Sequence, residues 1–598
     1  MRVGRKKTAE FSFLLERVGQ KLQGWEKQII SRAGKITLLK TAAQAIPNFW
    51  MNIMLIPNEI CEKIERRMNA FWWRSGNINN KGVHWMSWEK LCVVKEAGGL
   101  GFKSLRNFNV AVLAKQAWRL INNSNPLVTK LMKARYYPNS DFLGAKMGSN
   151  PSYVWRSILE AQEVIKKGTR RRIGNGDDTM VWKDPWLPCF ENGNLTTTMP
   201  EELQYTKVKN LMDEHGSKWD EDVLNDLCND RDKRLIKQIP IPIRSRSDSW
   251  YWIQDDKGEV SVKRCYRCIQ GEAECTEKAF WRRIWRMELP GKVVNLIWRA
   301  ARDVLPTTVA LQSKHVNVDT RCGWCQINSE TAVHVLFECT FAKEIWEMLR
   351  LQNVIHTEEG DSVLCVLKRA LQSASKEQGL LIGLLRWCLW FRRNKWVWER
   401  NNMSTFGIKS LAVNMLTDWR KVLEQGERRT GGVQVQQRQW SKPPAGWLKV
   451  NIDASCRQGN EWIGAGCVVR DEEGRFVRAR TTVVRGRAYA REAEALSLKE
   501  ALSWMKTWRH NKCIFESDSK VLIDAIRAGQ GKSIFDTHVE DCRELLKHFE
   551  DVLVVFVNRS ANSVAHELAK AAYSMSGPQE WLYAAPEFII CNLALEAI

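Results

Sequence analysis

The chain of 598 residues has no long apolar run, no apolar leader and too few acids to balance its bases. Its most hydrophobic stretch, GLLIGLLRWCLWF at 379–391, is too short to cross a bilayer and contains Arg386. It predicts a buried helix and no membrane partner. The charged first residues lack the core of a secretory leader, and the 17 cysteines are scattered without an extracellular pattern. Both features predict an intracellular, reducing location. No segment repeats at a fixed period, which excludes a repeat array. Histidine is scarce, at 9, so a His inside a patterned cluster carries weight. Asp and Glu number 68 against 91 Lys and Arg, a net charge of +23. That surplus favours a polyanionic partner, nucleic acid before membrane. The basic run Arg5-Lys6-Lys7 adds an expectation of nuclear residence, with cytoplasmic residence the alternative, and no protein partner is implied.

The length suggests roughly three to four domains. A composition of 44% apolar and 27% charged residues is that of a globular protein. The 29 tryptophans recur in pairs such as Trp72/Trp73, Trp182/Trp186, Trp281/Trp285 and Trp396/Trp398. Helix faces and core anchors are the expected role, with base stacking the alternative. Residues 10–75 keep apolar positions at helical spacing, with a break at Pro47 and a restart at Pro57. The run KKGTRRR at 166–172 is a basic cluster, and GNGDD at 174–178 is turn chemistry between two strand-like runs, which predicts a small hairpin. Residues 279–350 are Trp-rich and helical around a cysteine cluster, and 376–425 are helical. ERRTGGVQVQQRQWSKPPAG at 427–446 has linker composition. From 447 the pattern reads as three strands, a helix, a strand, two helices, a strand and a helix.

Asp453 ends an apolar strand, VNID, where a lone carboxylate is expensive to desolvate. Glu494 lies in the helix-forming REAEALSLKEAL, with Glu492 as its rival, and Asp518 follows the strand around Cys513–Phe515. Acids at one end of neighbouring strands and on a helix across them can converge. Without a cation they repel, while one or two Mg²⁺ ions satisfy them. A second cluster, Cys322-x₂-Cys325-x₈-His334-x₄-Cys339, has the spacing of a four-ligand tetrahedral site suited to structural Zn²⁺. The pair Cys265/Cys268, with only Cys275 nearby, reads as incidental.

WLKVNIDASC, AEALSLKEAL, FESDSKVLIDAI and RSANSVAHELAKAA together resemble the signature segments of a type-1 ribonuclease H domain. The version is that of plant LINE-type (non-LTR) retrotransposon-related proteins. The resemblance implies an α/β domain at 447–575 with a mixed five-stranded sheet and flanking helices. It also implies metal-dependent endonucleolytic cleavage of the RNA strand of RNA–DNA hybrids, with RNA or DNA alone as other partners. Asp453, Glu494 and Asp518 stand where that family holds Mg²⁺ (or Mn²⁺), and its spacing favours Glu494 over Glu492. The family's fourth acid is here His566, counted with the three acids as catalytic because an imidazole can still orient a water or shuttle a proton, although activity is expected to weaken, to shift toward Mn²⁺ or to be lost. Ser497 stands beside Glu494 where the family has Ala. FWRRIWRMELPGKVVNLIWRAARDVLPTTVAL and FAKEIW resemble the zinc-binding module that follows reverse transcriptase in the same polyproteins. GWEKQIISRAGKITLLKTAAQAIPNFWM resembles the end of the reverse transcriptase itself. No Tyr/Phe-x-Asp-Asp motif is present, so no DNA synthesis is expected.

The expected organisation is multidomain and mostly α in its N-terminal and zinc-module regions. It comprises a helical remnant at 1–150, a connecting region with a small β module at 151–270, a zinc module at 279–350 and a helical segment at 351–426. The linker at 427–446, the ribonuclease H-like domain at 447–575 and a tail at 576–598 follow. A catalytically inactive nucleic-acid-binding protein or a degenerate remnant is the alternative.

Overall fold

The computed structural model describes residues 7–26, 28, 30–74, 82–122, 126–271, 276–429, 440–457, 462–486, 489–508, 510, 512–528 and 531–597. They divide into two compact units. Residues 430–439 of the expected linker, and Cys275, lie outside the described residues.

The first unit holds residues 1–113, 150–158 and 266–433, and its named elements are helices. The N-terminal pattern breaks earlier than Pro47. A helix ends at Glu26, and Ser31 starts the next by accepting a hydrogen bond from the Gly34 N–H. Downstream come α1 (Lys278–Arg286), α2 (Gly291–Ala301), α3 (Thr340–Met348) and α4 (Lys376–Glu399). One hydrophobic core runs through Leu14, Trp72, Trp298, Leu336, Leu385 and Ile408. The expected segments 1–150, 279–350 and 351–426 therefore do not have separate cores. Ser375 and Gln378 form a capping box at the start of α4. Arg386 of that helix is fully buried. Its Nη1 donates to the Ile382 carbonyl and its guanidinium lies 4.8 Å from the Phe337 ring centroid. Burial pushes it down to about 9. Most of the paired tryptophans are core anchors: Trp72, Trp186 and Trp281 are buried, whereas Trp398 is exposed.

The second unit holds residues 114–149, 159–265 and 434–598. Its connecting region carries β1 (Thr169–Arg172), paired antiparallel with β2 (Ser249–Trp252). The expected hairpin around GNGDD does not form. Buried Asp248 accepts hydrogen bonds from the Gly174, Gly176 and Asp178 N–H groups and from Thr179 Oγ1. That gathers the loop against β2 and leaves β1 with a distant partner. The basic run is split: Lys166 and Lys167 are exposed, whereas Arg170 and Arg172 are buried, and Arg170 donates to backbone carbonyls of its own module.

The C-terminal domain is a sheet of β3 (Leu448–Cys456), β4 (Trp462–Arg470), β5 (Phe476–Arg485), β6 (Lys512–Ser517), β7 (Asp551–Phe556) and β8 (Gln579–Trp581). The strand order is β7-β6-β3-β4-β5-β8, with β3/β6 and β6/β7 parallel and the other pairs antiparallel. Helices α5 (Ala490–Lys506), α6 (Lys520–Arg527), α7 (Ile534–Leu546), α8 (Ser563–Ala571) and α9 (Glu587–Ala597) flank it. Side chains alternate across a strand. Val450, Ile452, Cys467 and Val469 pack with Leu498, Leu502 and Phe535, while Val468 packs with Val564, Leu568 and Ile589. Asp453, in register with Gly466, therefore looks to the α8 side. Glycine is needed in β4 for closeness rather than flexibility. A Cβ on Gly466 would sit 2.3 Å from the Ala569 nitrogen, and one on Gly464 would sit 2.2 Å from its carbonyl oxygen. Helix α8 lies directly on the strand there.

The sheet has six strands rather than the five expected, and 576–598 is no tail. It supplies β8 and α9, and Glu596 of α9 forms a 2.9 Å ion pair with Arg470, which is 1% exposed. The other Glu596 oxygen accepts hydrogen bonds from the Ser563 and Val564 N–H groups and from Ser563 Oγ, capping the start of α8. Removing one partner of a buried pair costs about 3–5 kcal/mol. Glu596→Ala is therefore expected to lower the C-terminal unfolding transition of the full chain by many degrees in scanning calorimetry, and deletion of 587–598 to lower it at least as far. An unmoved transition would remove α9 from the domain.

Candidate active site and metal centre

In the first unit Cys322, Cys325, His334 and Cys339 bring their ligand atoms within 4.8 Å of one another. The local sequence explains how. A bridge between Arg321 and Ser329 closes a knuckle, within which Gln326 adopts φ 56° and returns its N–H to the Cys322 carbonyl. His334 opens a π-helical turn, and Cys339 donates its N–H to the His334 carbonyl before α3 begins. His334 Nε2 lies 3.3 Å from Cys325 Sγ. A hydrogen bond from Cys322, followed by opposing burial, holds the Cys339 thiol down at about 7, while that same contact and burial push Cys322 up to about 11. Soft sulfur donors with one imidazole fit Zn²⁺. The Arg392 guanidinium lies 3.3 Å from the ring centroids of both Trp324 and Phe341 beside them. Cys265 and Cys268 are not in the cluster. One zinc per chain is expected in native mass spectra, released by chelator or by acidification as the ligands protonate. Cys339→Ser should weaken zinc retention at least about tenfold.

In the second unit the ligand oxygens of Asp453, Glu494 and Asp518 lie within 4.8 Å of one another. Asp453 comes from β3, Glu494 from the first turns of α5, and Asp518 from the residue between β6 and the Ser519 cap of α6. Burial, then the charges of Asp453 and Asp518, raise Glu494 to about 9, although Ser517 hydrogen-bonds to it. Glu494 Oε2 is buried without a hydrogen-bond partner. Burial raises Asp453 to about 6, against a hydrogen bond from His566. A hard donor set of carboxylate oxygens, one of them orphaned, fits a divalent cation such as Mg²⁺ or Mn²⁺. Glu492 is buried but is not in the cluster, and Glu567 pairs with Lys570.

His566 does not join the three acids as a fourth ligand. Its Nδ1 is 2.8 Å from Asp453 Oδ2, and Arg559 Nη2 is 3.1 Å from its Nε2. A guanidinium only donates, so Nε2 accepts and Nδ1–H donates to the carboxylate. Both ring nitrogens are thereby engaged. Arg559 has no signal in the sequence beyond its charge, seven residues before His566. Ser497 has a place as well: its Oγ donates to the Asp453 carbonyl at 2.8 Å, pinning β3 to α5.

Residues 260–346 match the family model described as zinc-binding in reverse transcriptase, and 451–572 match the one described as reverse transcriptase-like. An Arabidopsis thaliana protein that bears the provisional name of ribonuclease H protein is 26% identical over 95% of this chain and 93% of its own length. An uncharacterised mitochondrial protein of the same plant is 40% identical over 24% of this chain and 93% of its own. Among solved structures, a ribonuclease H1 from Halobacterium salinarum is similar at 22% identity and TM-score 0.20, covering 21% of this chain and 98% of that one. A compost-derived ribonuclease H1 crystallised with an RNA/DNA hybrid is similar at 16% identity and TM-score 0.20, covering 21% of this chain and 96% of that one. The chain belongs among plant retroelement-related proteins. It carries a reverse-transcriptase zinc-binding module and, at its C-terminal end, a ribonuclease H-like domain.

The acid cluster gives a pH dependence of definite sign. Asp453 rises from 3.8 to about 6 and Glu494 from 4.5 to about 9 on folding. The folded state then binds more protons than the unfolded state. The stability this contributes is complete below the unfolded values and is lost as pH rises, through 6 for Asp453 and toward 9 for Glu494. Without divalent cations, the C-terminal transition should melt roughly 2–8 °C lower at pH 8.5 than at pH 5.5. Glu494→Gln should flatten that slope, and Mg²⁺ should restore the transition at pH 8.5.

Proposed function

We propose that the C-terminal domain is a metal-dependent ribonuclease H-type endonuclease that hydrolyses the RNA strand of RNA–DNA hybrids. The observation that carries this reading is the convergence of Asp453, Glu494 and Asp518 within 4.8 Å. These acids would hold Mg²⁺ or Mn²⁺, which when bound supplies an activated water and charge stabilisation at the leaving oxygen. The chain's own residues do the positioning. Asp453 is oriented through Oδ2 by His566 and through its carbonyl by Ser497. Glu494, held protonated by burial and its neighbouring acids, would give up its proton to hold a cation. The zinc module would serve as a nucleic-acid-associated element, and the surplus of basic residues would favour the phosphate backbone. Recognition of backbone shape and the 2′-OH predicts little sequence preference.

One observation favours a second reading, a nucleic-acid-binding domain that no longer cuts. His566 spends both ring nitrogens on Asp453 and Arg559, leaving no lone pair for a cation.

The test is cleavage of an end-labelled RNA–DNA hybrid by the full chain, in Mg²⁺ and separately in Mn²⁺. Cutting of the RNA strand is expected, reduced at least about 100-fold in Asp518→Asn, a loss of roughly 3 kcal/mol of transition-state stabilisation. His566→Asp is expected to raise the Mg²⁺ rate. A silent parent with an active His566→Asp variant would establish the second reading, and silence from both would reject the nuclease.

A further inference from the structure

Residues 159–265 have no chemical motif, yet they spend their most expensive side chains on the C-terminal domain. Arg172 of β1, its side chain 8% exposed, donates to Thr537 Oγ1 and the Gly531 carbonyl and pairs with Glu540 of α7. Arg246 pairs with the same Glu540. The next residue, Asp541, is 3% exposed at its side chain. One oxygen accepts from the Ile243 N–H, and the other is 2.8 Å from Lys499 Nζ of α5. Tyr251 and Ile253 of the β2 segment form a small apolar cluster with Ile534. The turn after β2 reaches α5 directly, since Arg491 donates to the Asp256 carbonyl at 2.6 Å. Gly258, at φ 69°, lies so close to Lys532 and Ser533 that an added Cβ would be 2.8 Å from their backbone atoms. Buried acids stripped of their partners are strongly destabilising, which marks this as a permanent seat rather than a passing encounter.

Arg491 and Lys499 flank Glu494 on the same helix. From this placement we infer that residues 169–259 are a built-in positioning element for the carboxylate site, holding α5 so that Glu494 meets Asp453 and Asp518. The role rests on the proposed metal site for its consequence but not for its physical content. The positioning residues are Asp256 and Arg491 at the turn and Arg172 and Glu540 at α7. None of them touches the acid cluster.

The experiment uses the full chain, with Gly258→Ala to wedge the turn, Arg491→Ala to cut its tie, Arg491→Lys as the conservative rescue and exposed Lys167→Ala as control. Amide hydrogen exchange is read over 490–506 and over 563–571, and Mn²⁺ affinity by electron paramagnetic resonance. Gly258→Ala and Arg491→Ala are expected to speed exchange in 490–506 at least tenfold while sparing 563–571, and to weaken Mn²⁺ binding about tenfold. Arg491→Lys should recover most of both, and Lys167→Ala should change neither. Unchanged exchange in 490–506, or equal loosening of both segments, would overturn the proposal. A parent that binds no Mn²⁺ would reject the metal site, while the exchange data still decide whether the module holds α5.

Discussion

Three carboxylates held within 4.8 Å at the end of a mostly apolar sheet are the constraint on which the C-terminal domain turns. Burial and the neighbouring carboxylates push Glu494 to about 9 and Asp453 to about 6. The domain surrounds the acids with restraints: Ser497 on the Asp453 carbonyl, His566 on its carboxylate, and Ser517 on Glu494. A divalent cation bound between the acids would offset their repulsion.

The rest of the domain can be understood as scaffolding for those positions. Glycines at 464 and 466 let α8 lie against β4, which brings His566 to Asp453. Glu596 caps α8 and neutralises Arg470, so the final helix fixes the same element from the other side. The connecting region then holds α5 and α7 through Arg491, Asp541 and Glu540. The zinc module follows the same logic in its own unit, where a knuckle and a π-turn bring three thiols and one imidazole together and α4 supplies the buried Arg386 to the core.

Much of this was legible in the sequence, for physical reasons that differ from element to element. The order of strands and helices from 447 onward follows from strong periodicity, and Asp453 and Asp518 were visible as acids beside apolar strands, whereas Glu494 was separated from Glu492 only by the family resemblance. The Cys322–Cys339 cluster was visible because ligand spacing is local. What stayed hidden was long-range. The partner of β1 is β2, far along the chain, because Asp248 gathers a loop whose own sequence reads as a hairpin turn. Residues 576–598 read as a tail because β8 is only three residues long and Glu596 shows its role only once Arg470 and α8 are beside it. The sequence of KKGTRRR shows a basic cluster but not the burial of Arg172, which depends on Glu540, and no local pattern connects the two. The tie between Arg559 and His566 was within reach in sequence, but only the fold reveals that it occupies the second ring nitrogen.

The most direct measurement is anomalous diffraction from crystals of the full chain grown with Mn²⁺. A divalent-metal nuclease site predicts a peak between Asp453, Glu494 and Asp518, with His566 still hydrogen-bonded to Asp453 and outside the coordination sphere. An empty carboxylate cluster, with Glu494 hydrogen-bonded as a neutral acid at saturating Mn²⁺, would contradict it.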